Sequence, residues 1–373
     1  MPTFRIFATC DIGSDAITRL RNRGYDVEVY SNAEAPSKQL ILEKVKSGID
    51  GIITTLRDPI DADVIAAGAG TMKVIAQDAV GTDNISRATA NQYKIPFTNT
   101  SDVLTDATAE FAFFMMGCLA RKLWPSEQLV RENKWGSWHP QLPFLGDEVT
   151  GKTLAIFGTG RIGKTLARKC MGFDMNILCY NSTQQDDKFV DSIQDVMDLL
   201  YERGLQKNPT WIMYEQLDVC LREADFISLH VPLIREDEAS PRDGNLQSTF
   251  HLINEETLKL MKPTAYLINT SRGPVIDEAA LAHAIHERWI AGAALDVYEK
   301  EPLPVDSPLR DSAIADRCRL FHHFASGSKA TRLSTDPDIG MAGRCIQGLI
   351  DVLEKNYGGD ISKMPYVVNK EVF

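Results

Sequence analysis

Short apolar runs alternate with amphipathic stretches from the first residues onward. FRIFAT (4–9), DVEVY (26–30), GIITT (51–55), KVIAQ (73–77) and IPFTN (95–99) have the length and β-branched content of buried strands. Between them, 14–23 and 37–47 carry helical spacing. Strands alternating with helices predict a parallel sheet covered by helices. At Leu104 the pattern changes to one long Ala-, Phe- and Met-rich helix, which Thr105 or Asp106 can cap and which reads as a connector between domains. A loop rich in Trp and Pro (135–146) follows. A second alternating series then runs through TLAIFG (153–158), NILCY (176–180), DFISLHV (225–231), TAYLINT (264–270) and IAGAALDV (290–297).

Two connections are longer than a compact βα unit needs. Residues 184–213 and 235–249 are therefore expected as insertions. In the first, DSIQDVMDLLYERG could form an extra helix; the second, polar with Pro and Gly, is expected as an exposed loop. At about 150 residues per domain, 373 residues suggest two or three domains, and the two alternating series select two.

The densest chemical signal is LAIFGTGRIG (154–163), a strand followed by Gly158, Gly160 and Gly163 and then a helical continuation. In this spacing the first glycine allows a tight turn, the second lets backbone amides approach a pyrophosphate, and the third permits close helix-to-strand packing. A dinucleotide site is expected here. The second strand of such a unit usually ends in an acid that holds the adenosine ribose, whereas NILCY is followed by Asn181, Ser182 and Thr183. That removes the barrier to a 2′-phosphate without supplying an Arg to clamp one, with Asp186 and Asp187 close behind. The expectation leans to NADP(H) over NAD(H).

Arg272 follows a buried strand, where ligands of open α/β sheets lie, and its planar fork suits a carboxylate; a surface ion pair is the alternative. Asp296 ends another strand, Glu301 precedes Pro302, and His322 and His323 precede a small-residue turn. A His beside a carboxylate is a proton donor, although either His could be a satisfied core residue. His283 and His286 read as a solvated helix face. No metal site is expected.

Charge adds an exclusion. Forty Lys and Arg against 51 Asp and Glu leave −11, with no basic patch, which argues against nucleic acid and anionic membrane as partners. Seven scattered cysteines without a CxxC pair read as reduced core thiols of a cytoplasmic protein. The N-terminus lacks the apolar run of a signal peptide, and the longest apolar run, 111–120, is too short to span a bilayer.

In this order, GTGRIG, READFISLHVPL (222–233), LMKPTAYLINTSRGPVID (260–277), AGAALDVYEKEPLP and the His pair resemble the D-isomer-specific 2-hydroxyacid dehydrogenases. The resemblance continues through IAQDAVGTDNIS (75–86) and NTSDVLTDATAEFA (99–112). Residues 138–163 look most like glyoxylate and hydroxypyruvate reductases. It implies an α/β fold of two doubly wound parallel-sheet domains, Rossmann-like or flavodoxin-like, with a cleft between them. A discontinuous substrate domain (1–105 plus 330–373) would accompany a dinucleotide domain (106–329).

The resemblance further implies a triad of Arg272, Glu301 and His323. Counting back from Arg332 places the family's His on His323, with His322 where the family usually has Pro. Val80 and Gly81 would hold the substrate carboxylate with Arg272. Cofactor contacts would fall on Thr108, Gly160, Arg161, Ile162, Asn181, His230, Val231, Pro232, Thr270, Asp296, Ala325 and Ser326. The implied activity is NAD(P)H-dependent reduction of a 2-oxo acid to the D-2-hydroxy acid by a homodimer. The aromatic loop 135–144 would border the pocket, reach the partner subunit or simply pack on its own surface. A dehydrogenase for a larger 2-oxo acid and a nicotinamide-sensing corepressor on the same fold are the alternatives.

Overall fold

The structure is a computed structural model that describes residues 3–141, 144–182, 185–235 and 247–373. The chain packs into two units, Met1–Thr105 with Ser326–Phe373, and Asp106–Ala325. In chain order the first segment holds β1 (Arg5–Ala8), α1 (Ser14–Asn22), β2 (Asp26–Val29), α2 (Lys38–Lys46), β3 (Gly51–Thr54), α3 (Ala62–Gly68), β4 (Val74–Gln77), α4 (Arg87–Gln92) and β5 (Phe97–Thr98). The second unit runs through α5 (Thr105–Ala120), α6 (Leu123–Arg131), β6 (Thr153–Phe157), α7 (Arg161–Cys170), β7 (Asn176–Tyr180), α8 (Asp187–Glu202) and β8 (Ile212–Tyr214). It continues with α9 (Leu217–Glu223), β9 (Phe226–Leu229), α10 (Glu255–Leu258), β10 (Tyr266–Asn269), α11 (Glu278–His286), β11 (Gly292–Leu295) and β12 (Cys318–Leu320). The chain then returns to the first unit as α12 (Lys329–Leu333) and α13 (Met341–Leu353).

The first unit is a parallel sheet in the order β2-β1-β3-β4-β5. Alternate residues of each strand serve opposite faces. Phe7, Ile52, Ile75 and Phe97 meet Ile41, Val45, Val64 and Ile65 of α2 and α3. Ile6, Ala8, Ile53 and Val74 meet Ile17 and Leu20 of α1 and Ile346 and Leu349 of α13. Burial on both faces explains why these strands are continuous apolar runs rather than polar–apolar alternations.

The second sheet has seven parallel strands in the order β12-β11-β10-β9-β6-β7-β8. Chain order reverses between β6 and β9. That is the switch point at which doubly wound sheets bind ligands, outside the carboxyl ends of the strands.

Two expectations are corrected. Residues 184–213 are not an appendage to the sheet: α8 is the crossover from β7, and β8 pairs in parallel with it, Ile177 opposite Ile212. Neither Thr105 nor Asp106 caps α5 from outside, because the helix already begins at Thr105. β12, unforeseen, lies beside β11. Of the second long connection, 236–246 lie outside the described residues. Its two ends are tied together, with Thr249 Oγ1 accepting from the Ile234 amide at 2.8 Å and donating to the Pro232 carbonyl at 2.6 Å. All seven cysteines are free, five of them buried. Among the described residues no helix is long and apolar enough to cross a membrane.

Candidate active site

β6 delivers the glycine-rich turn. Gly158 has φ +93°, and a Cβ there would lie 2.7 Å from the His230 backbone, so the turn and the close approach of β9 both require glycine. A Cβ on Gly163 would overlap the Gly158 carbonyl, which is the tight helix-to-strand contact expected of the third glycine. Gly160 differs, since a Cβ there meets nothing within 4 Å. It is the N-cap of α7, and among the described residues no side chain caps the first amides, leaving donors and space at a helix N-terminus.

Two further groups around this edge lack partners among the described residues. His230 Nδ1 and Thr270 Oγ1 are sealed from solvent with no hydrogen bond. His230 Nε2 lies 2.9 Å from Ser228 Oγ, and burial pushes the imidazole down to about 4, so it is neutral at physiological pH. Open space at Gly160, uncapped amides and two orphaned polar atoms fit a bound dinucleotide. Of the other expected contacts, Thr108, Val231 and Ala325 are buried, Ile162 and Ser182 are half-buried, and Arg161 and Pro232 are exposed. Ser326 opens the returning segment of the first unit, where its Oγ accepts from Arg332 Nε at 3.2 Å.

β10 ends in a turn organised by Asn269, which is fully buried. Its Oδ1 accepts from the Ser271 amide and hydroxyl, both at 2.9 Å, and its Nδ2 donates to the Arg272 carbonyl at 2.9 Å. Arg272 projects from this turn, with Nη1 donating to the Ser271 carbonyl at 2.7 Å. Gly273, next in sequence, presses on the Tyr298–Glu299 backbone so closely that no Cβ fits. Glu278 and Glu299 tie that segment to α11, each carboxylate accepting from the other's amide at 3.1 and 2.6 Å.

Glu301 leaves this loop and meets His323, Oε2 to Nδ1 at 2.8 Å, while its Oε1 accepts from the Tyr298 amide at 3.1 Å. Burial works to raise the Glu301 carboxyl, but His323, the Tyr298 amide and the Arg272 guanidinium together hold it below the ordinary Glu value. His323 has φ +55°, a left-handed backbone unusual for a residue with a side chain. Asp296 holds it there. Its carbonyl accepts from the His323 amide at 2.8 Å, and its carboxylate oxygens accept from the Phe324 and Ala325 amides at 2.6 and 2.7 Å. Burial pushes the Asp296 carboxyl up, against these amides and His323. His322 is exposed and stacks on Phe324, ring centroids 5.2 Å apart.

In the first unit, Val80 and Gly81 follow β4. The Ala79, Val80 and Gly81 carbonyls accept from the Thr100 amide, Asn99 Nδ2 and Gln77 Nε2 at 2.9, 2.9 and 3.0 Å. Asp78, just before them, was not singled out by its sequence context. Burial pushes its carboxyl up to about 7, with Arg332 opposing, and its Oδ1 has no partner among the described residues.

Sequence reasoning also passed over the contacts that fix Asn181. Its Oδ1 accepts from the Thr159 amide at 2.8 Å and its Nδ2 donates to Thr159 Oγ1 at 2.7 Å. Thr159 Oγ1 lies 2.8 Å from the hydroxyl of Tyr214, at the end of β8. No local sequence signal announces such a long-range hydroxyl partner.

Comparison with known proteins agrees with this geometry. A family model described as the D-isomer specific 2-hydroxyacid dehydrogenase, NAD binding domain, matches residues 113–325. The glyoxylate reductase of Korarchaeum cryptofilum is 40% identical over 88% of this chain and 88% of its own length. That of Pyrococcus horikoshii is 36% identical over 99% and 96%. A solved protein of Thermus thermophilus superposes with a TM-score of 0.78 at 32% identity, covering 98% of this chain and all of its own. With a parallel dinucleotide sheet and Arg272, Glu301 and His323 on its carboxyl edge, the chain belongs to the D-isomer-specific 2-hydroxyacid dehydrogenases, enzymes that use a nicotinamide cofactor.

Proposed function

We propose that this chain reduces a small 2-oxo acid, glyoxylate or hydroxypyruvate, to the D-2-hydroxy acid. The observation that carries the reading is the 2.8 Å contact between His323 and Glu301 beside Arg272. A bound dihydronicotinamide supplies the hydride to C2. His323, oriented by Glu301, donates a proton to the oxygen that gains negative charge, a contribution of about 10² to 10⁴-fold. Arg272 binds the substrate carboxylate and stabilises that oxygen, with the Val80 and Gly81 amides as further carboxylate donors. Asp296 keeps the proton donor in register and would hold the nicotinamide end of a bound cofactor.

The cofactor reading leans to NADP(H). Asn181 is engaged with Thr159, and Asp186 caps α8 through the Phe189 amide while paired with Lys164. The residues described directly after β7 are Asn181 and Ser182 and not a carboxylate, and Lys164 stands nearby. The protein is further proposed to be a cytoplasmic homodimer. Exposed Phe114, Leu123, Val130, Trp135, Trp138 and Leu145 support the dimer, and the unpaired cysteines agree with a reducing compartment.

The test is a panel of glyoxylate, hydroxypyruvate, pyruvate and an aromatic 2-oxo acid, each followed at the nicotinamide absorbance with NADPH and NADH. The highest kcat/KM is expected for glyoxylate or hydroxypyruvate with NADPH. A higher value for the aromatic acid would overturn the substrate, and a strong preference for NADH would overturn the cofactor lean.

A further inference from the structure

We propose that Tyr214 is a positioning residue for the dinucleotide cofactor, acting through Thr159 on the glycine-rich turn from a strand outside the fingerprint. β8 is the outermost strand on its side of the sheet, with β7 between it and β6. Tyr214 ends it. Its hydroxyl lies 2.8 Å from Thr159 Oγ1 and accepts from the Asp186 amide at 3.0 Å. Thr159 stands between Gly158 and Gly160 and is 5% exposed. Asn181 holds the same residue through its amide and its hydroxyl. The ends of β7 and β8 therefore converge on one side chain of the turn that aims the α7 amides.

Proton counting gives the contact a second role. Thr159 and Tyr214 have two hydroxyl protons between them, and their mutual hydrogen bond uses one. The other contacts, from Asn181 Nδ2 to Thr159 and from the Asp186 amide to Tyr214, bring protons in and consume none. One O–H donor is left beside the uncapped N-terminus of α7 without an acceptor among the described residues. A phosphate or ribose oxygen from the adenosine half of a dinucleotide is the acceptor whose chemistry matches. Tyr214 also packs at the edge of the core formed by Ile177, Cys179 and Ile212. Replacement by Phe keeps that packing and removes only the hydroxyl.

The inference rests on the placement of the cofactor at Gly158–Gly163 in the reading above, and the experiment separates the two. Binding of NADPH and of NADH is measured by tryptophan-fluorescence quenching for wild type, Gly160→Ala, Tyr214→Phe, Thr159→Val and the double variant. Tyr214→Phe is expected to raise Kd and KM for both cofactors by about five- to tenfold, the scale of one lost hydrogen bond. Its kcat at saturating cofactor should stay within about twofold of wild type and its Tm should be unchanged, which a merely structural role would not produce. In the Thr159→Val background, Tyr214→Phe should add less than about a further twofold. Wild-type affinity in Tyr214→Phe, or its full independent effect in that background, overturns the inference. If Gly160→Ala also binds both cofactors like wild type, the cofactor placement itself fails. If Gly160→Ala loses affinity while Tyr214→Phe does not, only the role of Tyr214 fails.

Discussion

Gly273→Ala is the most demanding test of how the catalytic side chains are held. A Cβ at this position would lie 1.7 Å from the Tyr298 carbonyl carbon, whereas ordinary contact begins at 3.4 Å. Gly273 is not among the residues with positive φ, so the objection to alanine is space and not conformation. The atom it meets is backbone, which cannot swing aside as a side chain end can. The segments carrying Arg272 and Glu301 must therefore part by about 1.7 Å, and a misplacement of about 1 Å is enough to reduce turnover about 100-fold. We expect kcat to fall by at least about 100-fold, with about 1–3 kcal/mol of overpacking visible as a Tm lowered by several degrees. Gly292→Ala separates the two effects. Its Cβ would crowd the Arg317 carbonyl at the opposite end of β11, so it should lower Tm while sparing kcat. A folded Gly273→Ala protein with kcat within threefold of wild type would refute the reasoning.

Three further outcomes follow from the same geometry. His323→Ala should lose about 10² to 10⁴ in kcat while His322→Ala stays within about threefold; steady-state turnover of the two decides the assignment, and the reverse order sinks it. Glu301→Gln removes the carboxylate that orients the His323 ring at 2.8 Å, so kcat should fall by at least about tenfold while the cofactor Kd is unchanged; wild-type kcat would separate Glu301 from proton donation. Because burial holds His230 down to about 4, the unfolded chain binds a proton that the native one does not between about pH 6.5 and 4, and stability should fall as pH drops through that window. Denaturant titrations should show a shallower decline for His230→Gln, and equal slopes would mean that His230 takes up its proton in the folded state.

The strands of both sheets were legible because burial on two faces makes them apolar runs that sequence periodicity detects. β8 and β12 were not, being three residues each, IMY and CRL, with too little length for any period to register. α8 was visible as a helix but misplaced, since a long polar approach conceals that its strand partner comes 10 residues after it. Arg272 and Asp296 announced themselves as polar residues where apolar strands stop, whereas Glu301, six residues beyond β11, was singled out through the family resemblance. His322 and His323 are neighbours in sequence and differ only through backbone conformation: a left-handed φ at 323 turns that ring, and not its neighbour's, onto Glu301. Asn269, Thr159 and Tyr214 act through hydrogen bonds fixed by tertiary placement, for which composition and spacing carry no signal.

The left-handed backbone at His323 sets activity and durability against each other at a single position. Glycine adopts that conformation more readily than histidine, by roughly 1 kcal/mol, and the three Asp296 contacts to this segment involve only backbone donors. They would survive that replacement, and the half-exposed pair with Glu301 adds little stability of its own. His323→Gly should therefore melt no lower than wild type while turning over almost nothing. A screen for thermal stability alone would not retain the proton donor, so only continued demand for catalysis keeps an imidazole there.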